Sequence, residues 1–348
     1  MRKKGILEMG LTLHKDVFKD ITAYTERVKQ EMSASGAALV IMKDNNIVHE
    51  WYSGTHHFEK GAKNIDYTSQ FNVYSIRVTY VGLAIAIAVY EGHLNLEDKI
   101  SNYLHELDKE ILGETTIRHL LTRCTGLNIK SDKVQRVFDL GTNIEGKKPE
   151  LLAKILHKAT GKTVNEILTD RVFKPLNWTN TEWVTEGKNN LVCDIQSPNS
   201  YPTLRIGSNI GDERNLYVSA RELALWGNLH LNKGSWDGRQ ILSEEIFNLV
   251  TSVQSPSTLP NQLPKFGFLW WIKDSEVSFK FNELGSELPE GSYQILGASG
   301  CSCTVIPKLN AVAVRMYNSL YTYENEGFDY IKDIQNFGDL AFSSLKKL

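Results

Sequence analysis

This sequence has no apolar run long enough to cross a bilayer. The stretch from Val78 to Tyr90 falls well short of the roughly 20 residues that a spanning helix needs. No leader is expected either. Met1-Arg2-Lys3-Lys4 supplies the opening charges of one, but Glu8, His14, Lys15 and Asp16 interrupt the apolar region that should follow, so the chain reads as cytoplasmic. Charge of one sign is lacking: 39 basic residues face 41 acidic ones, a net charge of −2 with both signs interspersed. That balance gives no case for nucleic acid or an anionic membrane, and leaves a small-molecule or peptide-like ligand.

Cysteine is scarce. The four residues at 124, 193, 301 and 303 form no secreted disulfide framework, and Cys301 and Cys303, two apart on an expected strand, read as small buried thiols rather than a zinc pair. Nine histidines are scattered, and of these only His56-His57 are close in sequence. Neighbours on one strand or loop do not converge on an ion, so they read as a solvated pair, and no metal or cofactor is expected. Repeats, low-complexity tracts and flexible linkers are absent too. With 348 residues and 41% apolar content, the chain can bury a substantial core as one structural unit. Its oligomeric state has no signature.

The pattern of elements that is present suggests a sheet built from both ends of the chain. A helical period over 12–33 leads through Ser35-Gly36 to a strand at Ala37–Met42, and Asp44-Asn45-Asn46 turns it into a second strand, Ile47–Tyr52. Late strands are expected at Phe266–Trp271, Cys301–Ile306 and Ala311–Tyr317, with a turn at Pro307–Asn310 and a closing helix over Glu324–Leu345. Residues 95–250 read as mainly helical, with an irregular portion from Glu186 to Asn215 that holds Ser197-Pro198-Asn199. The division expected is therefore 1–94 with 251–348 as the sheet part and 95–250 as a helical insertion.

Ser75 stands out within this plan. Phe71-Asn72-Val73-Tyr74 is short and apolar, and Val78, Val81, Leu83, Ile85, Ile87 and Val89 continue as a helix buried on nearly every side. Ser75 then sits at the first turn, where unpaired backbone N–H groups and the helix dipole favour an oxyanion. The alternative is that Ser75 only caps the helix.

Ser75-Ile76-Arg77-Val78 resembles the first motif, Ser-x-x-Lys, of the serine β-lactamase, penicillin-binding protein and esterase superfamily. The similarity continues through Glu91-Gly92-His93-Leu94-Asn95-Leu96-Glu97-Asp98, Thr116-Ile117-Arg118-His119-Leu120-Leu121-Thr122-Arg123-Cys124-Thr125-Gly126-Leu127, Ala159-Thr160-Gly161-Lys162, Phe173-Lys174-Pro175-Leu176 and Tyr217-Val218-Ser219-Ala220-Arg221, over roughly residues 35 to 320. The resemblance implies an α+β fold of the β-lactamase/transpeptidase type, an antiparallel sheet flanked by helices with an inserted all-helical subdomain. It also implies a cleft between the two parts, with Ser75 as nucleophile. By the same resemblance the third motif aligns with Ala298-Ser299-Gly300 on an edge strand, as a substrate-binding segment, and the N–H groups of Ser75 and Cys301 form the oxyanion hole. Tyr217, Trp226, Trp270, Trp271 and Tyr293 are candidates either to line the cleft or to fill the core.

Three departures bear on the chemistry. Val78 stands at the general-base lysine position and cannot accept a proton. Arg77 points about 100° round the helix and stays protonated at ordinary pH. No tyrosine occurs between Tyr103 and Tyr201, and the tyrosine of the second motif falls on Ile144 or Gly146, depending on gap placement. Glu145, in that gap, is a candidate replacement base or a solvated loop carboxylate. Two functions follow as expectations: a serine hydrolase acting on an ester, amide or lactam through an acyl-Ser75 intermediate, with activity impaired or lost, or a non-catalytic relative that binds a ligand or partner in the same cleft.

Overall fold

A seven-stranded antiparallel sheet with helices on both faces carries the Ser75 segment beside one of its interior strands. The computed structural model describes residues 17–130, 133–197, 199–274, 282–320 and 328–348. The leader-like start, the first residues of the 12–33 helical period, Pro198 and the beginning of the closing helix at Glu324 lie outside the described residues.

Helix α1 (Lys19–Glu31) buries Ile21, Thr25 and Val28, one stripe at helical spacing, and leads into strands β1 (Gly36–Lys43) and β2 (Asn46–Gly54). Short β3 (Gln70–Asn72) runs into the serine turn and helix α2 (Arg77–Tyr90), whose residues from Arg77 to Ala88 are all buried. The middle of the chain carries the hairpin β4 (Leu127–Lys130) and β5 (Lys133–Arg136), helix α3 (Pro149–Thr160), and β6 (Thr181–Trp183) with β7 (Leu216–Ser219). Helix α4 (Ala220–Leu231), the hairpin β8 (Ser235–Trp236) and β9 (Arg239–Gln240), and helix α5 (Glu244–Thr251) follow. Strands β10 (Lys265–Phe266), β11 (Trp271–Ile272), β12 (Tyr293–Leu296), β13 (Ser302–Ile306) and β14 (Ala311–Tyr317) precede helix α6 (Tyr330–Leu345).

The main sheet has the order β10-β11-β12-β13-β14-β1-β2. β14 lies antiparallel to β1, from Ala37 opposite Tyr317 to Lys43 opposite Ala311, so the two chain ends meet as expected. Alternation divides the strands between two cores. Leu39, Ile41, Ala311 and Ala313 face α1 and α6, while Val40, Met42, Val312 and Val314 face α2 and α4. Each fully buried Val, Leu or Ile contributes about 1.5–3 kcal/mol, so α2, apolar all round, anchors the serine turn from within.

Several expectations change. Phe266–Trp271 is not one strand but a tight hairpin, β10 paired with β11, with Leu269 at φ +67°. Its cause is close packing, since a Cβ on Gly267 would lie 2.0 Å from the Val250 carbonyl oxygen. The 95–250 region holds strands as well as helices: β6 and β7 lie within it and join β3, from before it, in a separate three-stranded sheet. Helix α4 packs on β1, β13 and β14, and so joins the sheet layer. His56 is not solvated; it is buried, with Nδ1 at 3.0 Å from the Leu191 carbonyl and Nε2 at 2.9 Å from Ser69 Oγ. Tyr217, Trp226, Trp270, Trp271 and Tyr293 are all buried core residues. Cys124, Cys301 and Cys303 are buried free thiols.

Candidate functional site

The chain turns sharply into Ser75. Tyr74–Ile76 forms a single 3-10 turn, and Tyr74 adopts φ +46°, a left-handed conformation that a bulky residue resists. Two bonds hold it there. Its backbone N–H donates to Asn72 Oδ1 at 3.0 Å, and its hydroxyl donates to Asp194 Oδ2 at 2.5 Å. Burial pushes the Asp194 carboxyl up to about 6, against the pull of Tyr74, Arg205 and Asn72. Asp194 itself is fixed by backbone bonds to Thr203, and Ile195 by one to Asn318 at the end of β14. The sharp turn at the serine thus rests on a strap clamped to the sheet.

Ser75 is half-buried, and its hydroxyl makes no hydrogen bond among the described residues. The capping alternative fails, because the start of α2 carries no side-chain cap. Among the described residues, then, no hydrogen bond ties the hydroxyl to a base. Val78, 1% exposed, belongs to the main core cluster. Arg77, beside it, is only 6% exposed, and its guanidinium donates to the Asp212 carbonyl oxygen at 3.3 Å while Nε finds no partner. Burial, with Arg214 close by, pushes Arg77 down to about 10.

The third-motif expectation needs correction. Ala298, Ser299 and Gly300 lie in the turn between β12 and β13, not on an edge strand, and both strands are interior to the sheet. Gly300 N–H donates to the Gly297 carbonyl at 3.0 Å, and Gly297 N–H to the Cys301 carbonyl at 2.8 Å. Ser299 Oγ reaches the Asn72 carbonyl at 3.5 Å, but the closest backbone approach to the serine segment is at Gly297, where a Cβ would lie 2.5 Å from the Val73 carbonyl oxygen. The triplet running off a strand beside Ser75 is therefore Ile295-Leu296-Gly297. Its first side chain, Ile295, is fully buried in the same cluster as Val78. Fully buried Arg315 braces this turn: its Nε donates to the Gly300 carbonyl at 3.1 Å and its fork binds Asp333 of α6. The Cys301 thiol, pushed up to about 11 by burial, lies 3.3 Å from the Tyr317 carbonyl and 3.2 Å from Ser299 Oγ.

The second-motif region holds no phenol either. Ile144 packs against the cluster around Phe266 and Trp271, and Gly146 borders a cavity of about 1010 Å³. Glu145 is engaged away from Ser75: it accepts from Thr125 N–H at 3.2 Å and from the Thr125 hydroxyl, and pairs with Lys148 at 2.6 Å. Its backbone exchanges hydrogen bonds with Arg123, whose guanidinium sits 4.8 Å over the Phe266 ring. Among the described residues no hydrogen bond or ion pair joins Glu145, or buried Tyr217, to Ser75; Tyr217 instead accepts the Arg205 N–H at 2.9 Å.

Lys147 escaped the sequence reading. It lines the same cavity, half-buried, and makes no hydrogen bond or ion pair among the described residues. Burial pushes its amine down to about 8, with Arg123 and Arg77 adding repulsion and Glu283 opposing it. A Gly-Lys-Lys run carries no sequence signal for this. Likewise nothing in the sequence marks Asp194, whose role depends on a fold contact 120 residues from Tyr74.

Comparisons with known proteins bear on the scaffold. A family model described as Beta-lactamase matches residues 23–336. An uncharacterized protein of Alkalihalophilus pseudofirmus is 40% identical over 330 residues, covering 94% of this chain and 96% of its own. Protein flp of Staphylococcus aureus is 23% identical over 335 residues, with 85% of this chain and 66% of its own length covered. Among solved structures, EstCE1, a hydrolase with promiscuous acyltransferase activity, superimposes with a TM-score of 0.73 at 16% identity, over 94% of this chain and all of its own. A penicillin-binding protein homologue from Caulobacter crescentus gives a TM-score of 0.72 at 14% identity, over 94% of this chain and 98% of its own. At these identities the two structures speak for the shared α+β, β-lactamase/transpeptidase-like fold.

Proposed function

Because this chain belongs to the β-lactamase family, a serine-hydrolase scaffold, we propose that it keeps the family's nucleophile position while acyl transfer through Ser75 is impaired, leaving a site that binds better than it reacts. The observation that carries this reading is Val78, packed into the core where a proton-accepting lysine would stand. Ile295 at the head of the third triplet and the absence of a phenol near 144–146 support it from two other directions.

The physical argument concerns the serine proton. A hydroxyl attacks a carbonyl efficiently only as its proton leaves, and a positioned base contributes on the order of 10² to 10⁴ in rate. When groups act as a unit, losing one costs nearly as much as losing all. Backbone N–H groups of an oxyanion hole need no particular side chain, so residual stabilisation of a tetrahedral oxyanion is compatible with the reading, with Ala298, the residue after the Ile295-Leu296-Gly297 triplet, replacing Cys301 as the partner of Ser75. The strained turn at Tyr74 and the unbonded Ser75 hydroxyl favour retention of the serine's presentation.

The test is labelling by a fluorophosphonate together with hydrolysis of a chromogenic ester, for the native protein, Ser75→Ala and Val78→Lys. Native turnover at the level of the Ser75→Ala control is expected, with slow serine-dependent labelling at most. Turnover that is fast and lost in Ser75→Ala would overturn the impairment.

A further inference from the structure

We propose that the cavity beside Lys147 is a binding site for a small amphipathic carboxylate, whose charged end meets Lys147 and whose apolar body lies along Leu127, Ile129, Leu151 and Ile210. Size and lining suit such a ligand. The cavity holds about 1010 Å³, at the upper end for small-molecule pockets. Two of its lining residues, Val137 at 54% and Ile210 at 44% exposure, are among the large apolar side chains that the fold leaves in solvent. Apolar surface left open beside a concavity marks a place that something covers.

Charge fixes the sign of the ligand. Lys147 is a half-buried ammonium with neither hydrogen bond nor ion pair among the described residues, and a desolvated charge without a partner is costly. Its electrostatic neighbours are the guanidiniums of Arg77 and Arg123 and the carboxyl of Glu283, which burial drives toward its neutral form. Of the other carboxylates that line the cavity, Glu145 meets Lys148 and Thr125 through one oxygen, and Glu150 and Asp212 act on Arg77. Glu145 Oε2 and Asp212 Oδ1 are buried without a hydrogen bond among the described residues, so the anion seats on the Lys147 side of the wall. Arg77 supplies a second, independent sign. Its Nε is buried and unpartnered, and its one bond goes to the carbonyl of Asp212, a residue of the cavity wall. An anion beside Lys147 would relieve repulsion among three cations at once. On the same rim, His157 adds a further basic group, while Lys154 is engaged with Glu106.

Ser75 is not a lining residue of this cavity, so the proposal does not depend on acyl transfer. Isothermal titration of the full chain with decanoate tests it, with acetate as the tailless control and decyltrimethylammonium as the control of opposite charge. Saturable binding of decanoate is expected, with much weaker binding of both controls. Lys147→Met should weaken decanoate at least about tenfold, and Ile210→Asn, on an exposed position that folding tolerates, should weaken it independently. Ser75→Ala should bind as the native chain does. The site is refuted if decanoate gives no saturable heat, if Lys147→Met binds it as tightly, or if the cationic amphiphile binds equally well. Loss of binding in Ser75→Ala would place the ligand on the serine and overturn the separate site.

Discussion

Around Val78 the surroundings of the serine are buried and apolar, whereas Arg77, Arg123 and Lys147 bring three mutually repelling cations together without full sets of partners among the described residues. Residues 77 and 78 are chain neighbours, so the contrast is set by the helix: successive side chains point about 100° apart. Where a hydrolase of this family places an amine against the serine, the chain has put a methyl-bearing side chain that packs without needing a partner. The cations Arg77, Arg123 and Lys147 act on one another instead beside the cavity that Leu127, Leu151 and Ile210 line, the site proposed above for a carboxylate. On the reading proposed above, the two functions of such a cleft, moving a proton and holding an anion, are separable: the first side has been filled in, and the second has not.

The largest test of that contrast is Val78→Asp. A carboxylate at a 1% exposed position, with no cation in the cluster to meet it, should cost about 4 kcal/mol or more in urea unfolding. A loss under about 1 kcal/mol would mean the serine side is wet, and the comparison would fail.

Asp194→Asn addresses the support of the serine turn. The folded carboxyl sits near 6 against an ordinary value of 3.8, so between those pH values the native state holds a proton that the unfolded state has lost. Its stabilising contribution is full below pH 4 and disappears as pH rises through 6, a change of about 3 kcal/mol at most. Asn carries no such proton. The variant should flatten stability over pH 4–6, measured as unfolding midpoints in a pH series, and equal slopes in the two proteins would contradict the assignment.

Lys147→Met should give the smallest effect and the opposite sign. The folded amine sits near 8 and the free one near 10.5, so between them the unfolded chain binds more protons and stability rises with pH. Below pH 8 the desolvated ammonium is a net cost, and Met should stabilise the protein by about 1 kcal/mol, with the gain fading toward pH 10. Destabilisation at pH 7 would show that Lys147 already has a partner.

Much of the scaffold was legible because its strands are fixed by local pattern. β1, β2 and β14 fall where apolar runs meet turn residues, and Ser75 falls at the start of an unbroken apolar helix. What could not be read depends on contacts between distant segments. Gly297 and Gly300 are both three-residue-motif glycines by sequence, and only the approach to the Val73 carbonyl selects Gly297 and moves the motif onto Ile295. The β10–β11 hairpin hides in an aromatic run for the same reason, since it is the Val250 carbonyl that demands Gly267. His56 and Lys147 were missed because a polar residue reads as solvated until the fold shows what lies over it.

The left-handed Tyr74 has a consequence for how this sequence can drift. That conformation costs a bulky residue about 1–3 kcal/mol, and Tyr74 tolerates it through a bond to Asp194, on a strap far away in the chain. Replacing either partner first is an uphill step, while glycine at 74 makes Asp194 dispensable. The two positions are therefore bound to change together or in a fixed order, and a lineage that lets go of the strap must first accept a glycine before its serine.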